Sequence, residues 1–146
     1  MKKVITTVLI LLLVGSCFYL VGCAMAKIDS RITPDSDLAR YKTYYVVRHD
    51  KDERHIDEII RDEMVLLGLD AKSGPPATQP DDVDVIVTYE DRWTWDMTNY
   101  LLTLSIDFRD SKSNVLLATG QSYRPSLERK PPDFMAREIL ESIFKK

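Results

Sequence analysis

Eighteen consecutive residues, from Val4 to Val21, carry no charge. A helix on the surface of a water-soluble domain needs a polar face, so a run this uniform is either a targeting segment or a membrane span. Met1, Lys2 and Lys3 precede it with positive charge, Leu, Val and Ile dominate Val4 to Val14, and small residues enter from Gly15 onward. That order is the layout of a secretory signal. The two lysines keep the start of the chain cytoplasmic and place the remainder on the far side of the membrane. Left uncleaved, the run sits near the lower length limit for crossing a bilayer, and Gly15, Ser16, Gly22 and the cysteines make it a poor span. Both readings give an envelope protein with a translocated domain.

The residues before the second cysteine, Leu20-Val21-Gly22-Cys23, resemble a bacterial lipobox. The resemblance implies a diacylglyceryl group on the Cys23 thiol, cleavage just before Cys23, and acylation of the new amino group, with palmitate-type chains. Cys17, preceded by Val14-Gly15-Ser16, satisfies a more permissive form of the motif. Cleavage there would leave Phe18-Tyr19-Leu20-Val21 at the start of the mature chain, whereas the residues after Cys23 turn polar within one helical turn, so Cys23 is the preferred acceptor. A single acyl chain binds membranes only marginally, at about 10⁴ M⁻¹, while two or more anchor stably. Position two of the mature chain would be Ala24. In Gram-negative bacteria an Asp there favours inner-membrane retention, so the expected location is the periplasmic face of the outer membrane. The expected organisation is a signal peptide at 1–22, a lipidated tether at 23–37 and a folded domain at 38–146.

Removing residues 1–22 from the 146-residue chain leaves 124 residues, and without Lys2 and Lys3 the 20 basic residues become 18 against 23 acidic, a net charge of −5 in place of −3. A mildly acidic domain without a basic stripe is a poor nucleic-acid binder. Its length suffices for a hydrophobic core without a staple. With Cys17 discarded and Cys23 acylated, no thiol remains for a disulfide.

The periodicities give the elements. Ala24 to Asp37 is polar and aperiodic, and as a flexible coil of about 14 residues it would span on the order of 20 Å. Tyr41 to Arg48 is aromatic and β-branched and reads as a strand. Ile56, Ile59, Ile60, Met64 and Leu67 fall at helical spacing, with Asp52 or Glu53 before them and Gly68 as the cap. Gly74-Pro75-Pro76 to Asp82 reads as loop. Alternation from Val83 to Glu90 predicts a second strand, and Tyr100, Leu102, Leu104, Ile106 and Phe108 form the inward stripe of a third. Asp110 to Asn114 offers a turn into a fourth strand, Val115 to Tyr123. Pro131-Pro132-Asp133 opens a final helix with Met135, Ala136, Ile139, Leu140 and Ile143 on one face. The order strand-helix-strand-strand-strand-helix predicts an α+β two-layer sandwich: a mainly antiparallel four-stranded sheet with two helices on one face.

Tyr41-Lys42-Thr43-Tyr44 at the first strand, Leu67-Gly68-Leu69 at the end of the helix and Asp82-Val83-Asp84-Val85-Ile86-Val87 after the loop resemble small bacterial envelope lipoproteins with a periplasmic domain of unknown function. The similarity covers most of residues 38–145. It implies the α+β fold and an extracytoplasmic location, and it supplies no catalytic residues.

Three constellations carry chemistry. His49 and His55 flank Asp50, Asp52 and Glu53, but six residues across a loop-helix junction is not a metal-ligand spacing, so no metal or other cofactor is expected. Asp81, Asp82, Asp84, Glu90, Asp91 and Asp96 supply carboxylates without marking a pair for acid-base catalysis, and no nucleophile elbow, phosphate-binding loop or HExxH helix is present. No catalytic residue is therefore assigned. Trp93 and Trp95 share a strand face. They either extend the core stripe of Val83, Val85, Val87 and Tyr89 or reach past the sheet as a patch with Arg92 and Tyr100 for a protein or glycan partner. The leading expectation is a non-catalytic, membrane-anchored domain that binds an envelope partner. A periplasmic hydrolase using carboxylates or His in a small cleft is the alternative, and a purely structural spacer a third reading.

Overall fold

The computed structural model describes residues 25–145. The signal residues, Leu20, Val21, Gly22, Cys17 and Cys23 lie outside the described part. Strand β1 spans Lys27–Ile32, β2 Thr43–Val47, β3 Asp70–Gly74, β4 Val85–Asp96, β5 Thr98–Asp110 and β6 Leu116–Tyr123. Helix α1 (Ile56–Leu66) lies between β2 and β3, and α2 (Pro132–Phe144) closes the chain. One sheet in the order β1-β6-β5-β4-β2-β3 results, with both helices on one face.

The α+β class and the two helices agree with the sequence reading, but the sheet has six strands where four were expected. Pairings β1-β6, β6-β5 and β5-β4 are antiparallel, whereas β2 runs parallel to both β4 and β3. The two additional strands escape a hydrophobic-period reading for different reasons. In β1, Ile28, Ser30 and Ile32 sit opposite Ser122, Gly120 and Ala118 and so face the helices, while Lys27, Asp29 and Arg31 face out. An edge strand with one polar face and a serine in its apolar stripe has the composition of a tether, which is why the periodicity places it in one. Strand β3, Asp-Ala-Lys-Ser-Gly, contains no β-branched or aromatic residue, and only Ala71 joins the core. Its backbone pairing to β2 and the α1 crossover hold it in place.

Helix α1 ends as its glycine predicts. Gly68 adopts φ +84°, its N–H donates to Val65 O at 2.9 Å, and the Leu69 N–H donates to Met64 O at 3.1 Å, the two bonds of a Schellman cap. The stripe of α2, Met135, Ala136, Ile139, Leu140 and Ile143, is buried as expected. Helix-to-helix contact is fixed by Arg137, whose guanidinium donates twice to the buried carboxylate of Glu63 at 2.8 and 2.9 Å. Tyr45 points away from the helices yet is buried, because the β3–β4 connection crosses it and Pro75 O accepts from its hydroxyl at 3.0 Å.

Two carboxylates tie the sheet end opposite the β4–β5 turn. Asp84 accepts the N–H groups of Lys42 at 2.8 Å and Thr43 at 3.1 Å, which hold its carboxyl below the usual range. Asp110 accepts the N–H and hydroxyl of Ser113 and the Tyr41 hydroxyl, which lower its pKa to about 2. A carboxyl whose pKa is lower folded than unfolded contributes stability that is fully present above its unfolded value near 4 and lost as pH falls through its folded value. Thermal melting monitored by circular dichroism should therefore show the melting temperature of the wild-type chain falling between pH 4 and pH 2, and Asp110→Asn should flatten that fall.

At Gly120, a Cβ would lie 2.5 Å from Ile139 Cγ2 and 3.2 Å from Ile143 Cδ1, so α2 seats directly on the backbone of β6. Gly120→Val is expected to destabilise the domain by about 1–3 kcal/mol through overpacking, read as a lower urea midpoint at unchanged m-value.

Candidate functional site

Strands β4 and β5 outrun their neighbours. Strand β2 reaches only Val87 of β4, and β6 reaches back only to Thr103 of β5, so the hairpin beyond these points is a two-stranded projection closed by Met97. Within it the ladder shifts register: Arg92 pairs with Thr103 but Trp93 with Leu101, leaving Leu102 as a bulge. The N–H of Arg124 donates to the Leu102 carbonyl at 2.8 Å, so the bulge leaves that acceptor satisfied. The shift switches the inward positions of β5 from even (Leu104, Ile106, Phe108) to odd (Leu101). Tyr100, expected on the inward stripe, consequently lies on the opposite face.

Each free edge of the projection is flanked by chain. On the β4 side, the 48–55 loop brings the Arg54 guanidinium to 4.2 Å from the Trp93 ring centroid, and Asp52 accepts the Tyr89 hydroxyl at 2.6 Å. Burial opposes ionisation of Asp52. The Tyr89 hydroxyl and the N–H groups of Asp57, Arg54 and Ile56 outweigh it and keep this carboxyl below its usual range. Burial together with the Asp52 carboxylate pushes the Tyr89 hydroxyl well above its ordinary value, so it remains a donor. On the β5 side, Arg129 lies 4.3 Å from the Tyr100 ring centroid. It also donates to Asp96 O at 2.8 Å, Asp96 Oδ2 at 3.0 Å and Thr98 Oγ1 at 2.8 Å. The Ser126 hydroxyl donates to the same Asp96 carboxylate. This latch carries the 3₁₀ turn Ser126–Glu128 to the hairpin end.

The four residues of the expected patch do not form one surface. Trp93 packs against the core, with its Nε1 donating to Asp91 Oδ2 at 2.6 Å. Trp95 shares that face but is 72% exposed. Arg92 is exposed on the opposite face, and Tyr100 is half-covered beneath Arg129. The question of core or surface thus has a different answer for each tryptophan. Sequence reading missed two residues that join Trp95 at this end: Met97, 85% exposed, and Leu127, 95% exposed. Both are single apolar residues in polar loops, and only the fold ties the turn that carries Leu127 to the hairpin end that carries Met97.

The other constellations are spread out. The His49 ring stacks edge-on to Tyr89 at 4.5 Å with its Nε2 on the Tyr89 carbonyl, while His55 Nδ1 lies 3.3 Å from Glu58. Potential ligand atoms of His55, Asp57 and Glu58 lie within 4.8 Å of one another. Arg48 already occupies both carboxylates, with Nε 3.0 Å from each Asp57 oxygen and a second donor 2.5 Å from Glu58, which disfavours a cation there. Of the six acidic residues singled out above, Asp84, Asp91 and Asp96 serve the backbone of β2, Trp93 and Arg129.

No protein-family model matches the chain, and no curated protein does. Among solved structures, the PelC dodecamer from Paraburkholderia phytofirmans superposes with a TM-score of 0.60 at 12% identity, over 80% of this chain and 96% of that one. A variant of the same protein gives 0.60 at 13%, over 78% and 96%. A PDZ domain protein from Parabacteroides distasonis gives 0.54 at 14%, over 84% of this chain but only 36% of its own. These likenesses establish a shared fold. A minor lipoprotein from Acinetobacter baumannii aligns at a TM-score of 0.34 and 12% identity, over 72% and 91%, too low to carry an argument.

The two tryptophans should separate on substitution. Trp93→Ala should cost about 1–3 kcal/mol in chemical denaturation, below the 3–5 kcal/mol typical of truncating a wholly buried aromatic. Trp95→Ala should stay within about 0.5 kcal/mol of wild type.

Proposed function

We propose that the chain is a lipid-anchored protein of the bacterial envelope, lipidated at Cys23 and facing the periplasm from the outer membrane. Its domain serves as a non-catalytic binding module whose contact site is the projecting end of the β4–β5 hairpin. The anchor reading rests on Leu20-Val21-Gly22-Cys23 behind a charged start and an apolar run. Among the described residues, no helix is long and apolar enough to cross a membrane.

The observation that carries the binding reading is the exposure of Trp95 and Met97 at the tip of the projecting hairpin, with Leu127 exposed on the turn latched to it. Isolated exposed apolar residues are ordinary, but two within three residues at the tip of a projecting hairpin, with a third on the turn latched to that tip, mark a candidate contact site. None of the three belongs to the core, which closes at Trp93 and Leu101.

Metabolic labelling with palmitate, intact-mass analysis and membrane fractionation test the anchor. Wild-type chain should carry label and sediment with membranes, Cys23→Ala should lose the label and become soluble, and Cys17→Ala should behave as wild type. Loss of label in Cys17→Ala alone would move the anchor to Cys17, and label in neither wild type nor variants would remove the lipoprotein reading.

A further inference from the structure

Strand register aligns the start of the domain with the hairpin end. Lys27 pairs with Tyr123, Tyr123 with Thr103 and Thr103 with Arg92, so these four residues form one row across the sheet. On the same side of this row, β4 and β5 continue to Met97 and the chain leads back from Lys27 toward Cys23. Four residues of chain span at most about 14 Å when extended. The hairpin overhang of four to five residues spans about 15 Å, and β1 and β4 lie three strand spacings apart, about 14 Å. Lys27 therefore lies on the side of the domain from which the hairpin projects, and the four residues from Cys23 to Lys27 are long enough to span the overhang.

Resting on the lipidation of Cys23 proposed above, we infer that the partner of the hairpin end is the phospholipid surface that holds this lipid, with Trp95, Met97 and Leu127 seated at the boundary between headgroups and acyl chains. The side chains suit that boundary. Tryptophan concentrates there because its ring is apolar and its N–H finds acceptors. Met97 holds φ +61° in a tight turn, between Asp96 and Thr98, that a glycine would adopt without strain. The flexible, exposed thioether of Met97 at that turn suits contact with an apolar phase. Acidic and basic residues alternate around this end, Asp91, Asp96 and Glu128 against Arg92, Arg129 and Lys130, so attachment is apolar and insensitive to the anionic lipid fraction.

The chain contains two tryptophans, both on β4, which makes the test direct. Full-length Trp93→Phe, purified from membranes and reconstituted into phosphatidylethanolamine–phosphatidylglycerol vesicles, reports Trp95 alone. The Trp95→Phe chain reports Trp93 as the internal control. With lipids brominated near the top of the acyl chain, Trp95 should lose most of its emission and shift to the blue relative to the soluble Cys23→Ala, Trp93→Phe chain, while Trp93 is quenched far less. Equal results with and without phosphatidylglycerol are expected. If mass analysis finds the lipid on Cys23 but Trp95 emits as in the soluble chain, the inference fails while the anchor stands. Protection of Trp95 that appears only on adding an envelope protein or glycan fraction also overturns it. Absence of lipid on Cys23 removes the anchor reading itself and this inference with it.

Discussion

Leu102 has no partner in the β4–β5 ladder, and the chemistry of the hairpin end follows from that omission. Before the bulge the even residues of β5 face the helices, and after it Leu101 takes the inward place opposite Trp93. The core therefore closes at Trp93, and the next inward position on β4, Trp95, has no helix beneath it and reaches solvent. Without the bulge, Tyr100 would turn toward the helices and Leu101 outward. A bulge near a sheet end also strengthens local twist, which suits a projection that must leave the plane of its neighbours.

A two-stranded ribbon is marginal in water, so the projection needs support from outside its own ladder. It receives it from both edges in chemically similar form. Arg54 covers Trp93 on one side and Arg129 covers Tyr100 on the other, each guanidinium lying over an aromatic ring. Arg129 adds hydrogen bonds to Asp96 and Thr98, the two residues that flank Met97. Arginine suits this role because its planar fork satisfies several acceptors at once while its face stays on the ring. The turn carrying Leu127 is held to the hairpin by the same set of bonds.

The sequence disclosed the elements with strong apolar period and little of the rest. Both helices were legible because Ile56, Ile60 and Met64, and Met135 to Ile143, repeat at helical spacing, and the Gly68 cap was legible from its position. Strands β1 and β3 were not, since one hides its stripe behind Ser30 and alternating charge and the other is held almost entirely by backbone pairing. Within the expected partner patch, Trp93 and Trp95 share a strand face, as their spacing of two implies. Their different exposure depended on where the helices end, and the place of Tyr100 depended on a bulge that no local pattern announces. Met97 and Leu127 lie thirty residues apart, and only the Arg129 latch ties the turn that carries one to the hairpin end that carries the other.

Pairing of β1 also changes what the amino-terminal segment can do. A coil of about 14 residues would let a domain turn freely about its anchor on the order of 20 Å away. With Lys27–Ile32 paired to β6, Thr33 donating to Leu116 O and Ser30 reaching the end of α2, only the residues before Lys27 separate Cys23 from the sheet. A lipid on Cys23 would then hold one end of the sheet near the bilayer, and the local concentration of lipid at that end would be high without any affinity of its own. Under that constraint, weak apolar contacts too small to bind a free domain to a membrane are sufficient to set its orientation. The sheet face without helices would then stand upright from the membrane, with Ser105, Asp107 and Gln121 turned toward the periplasm.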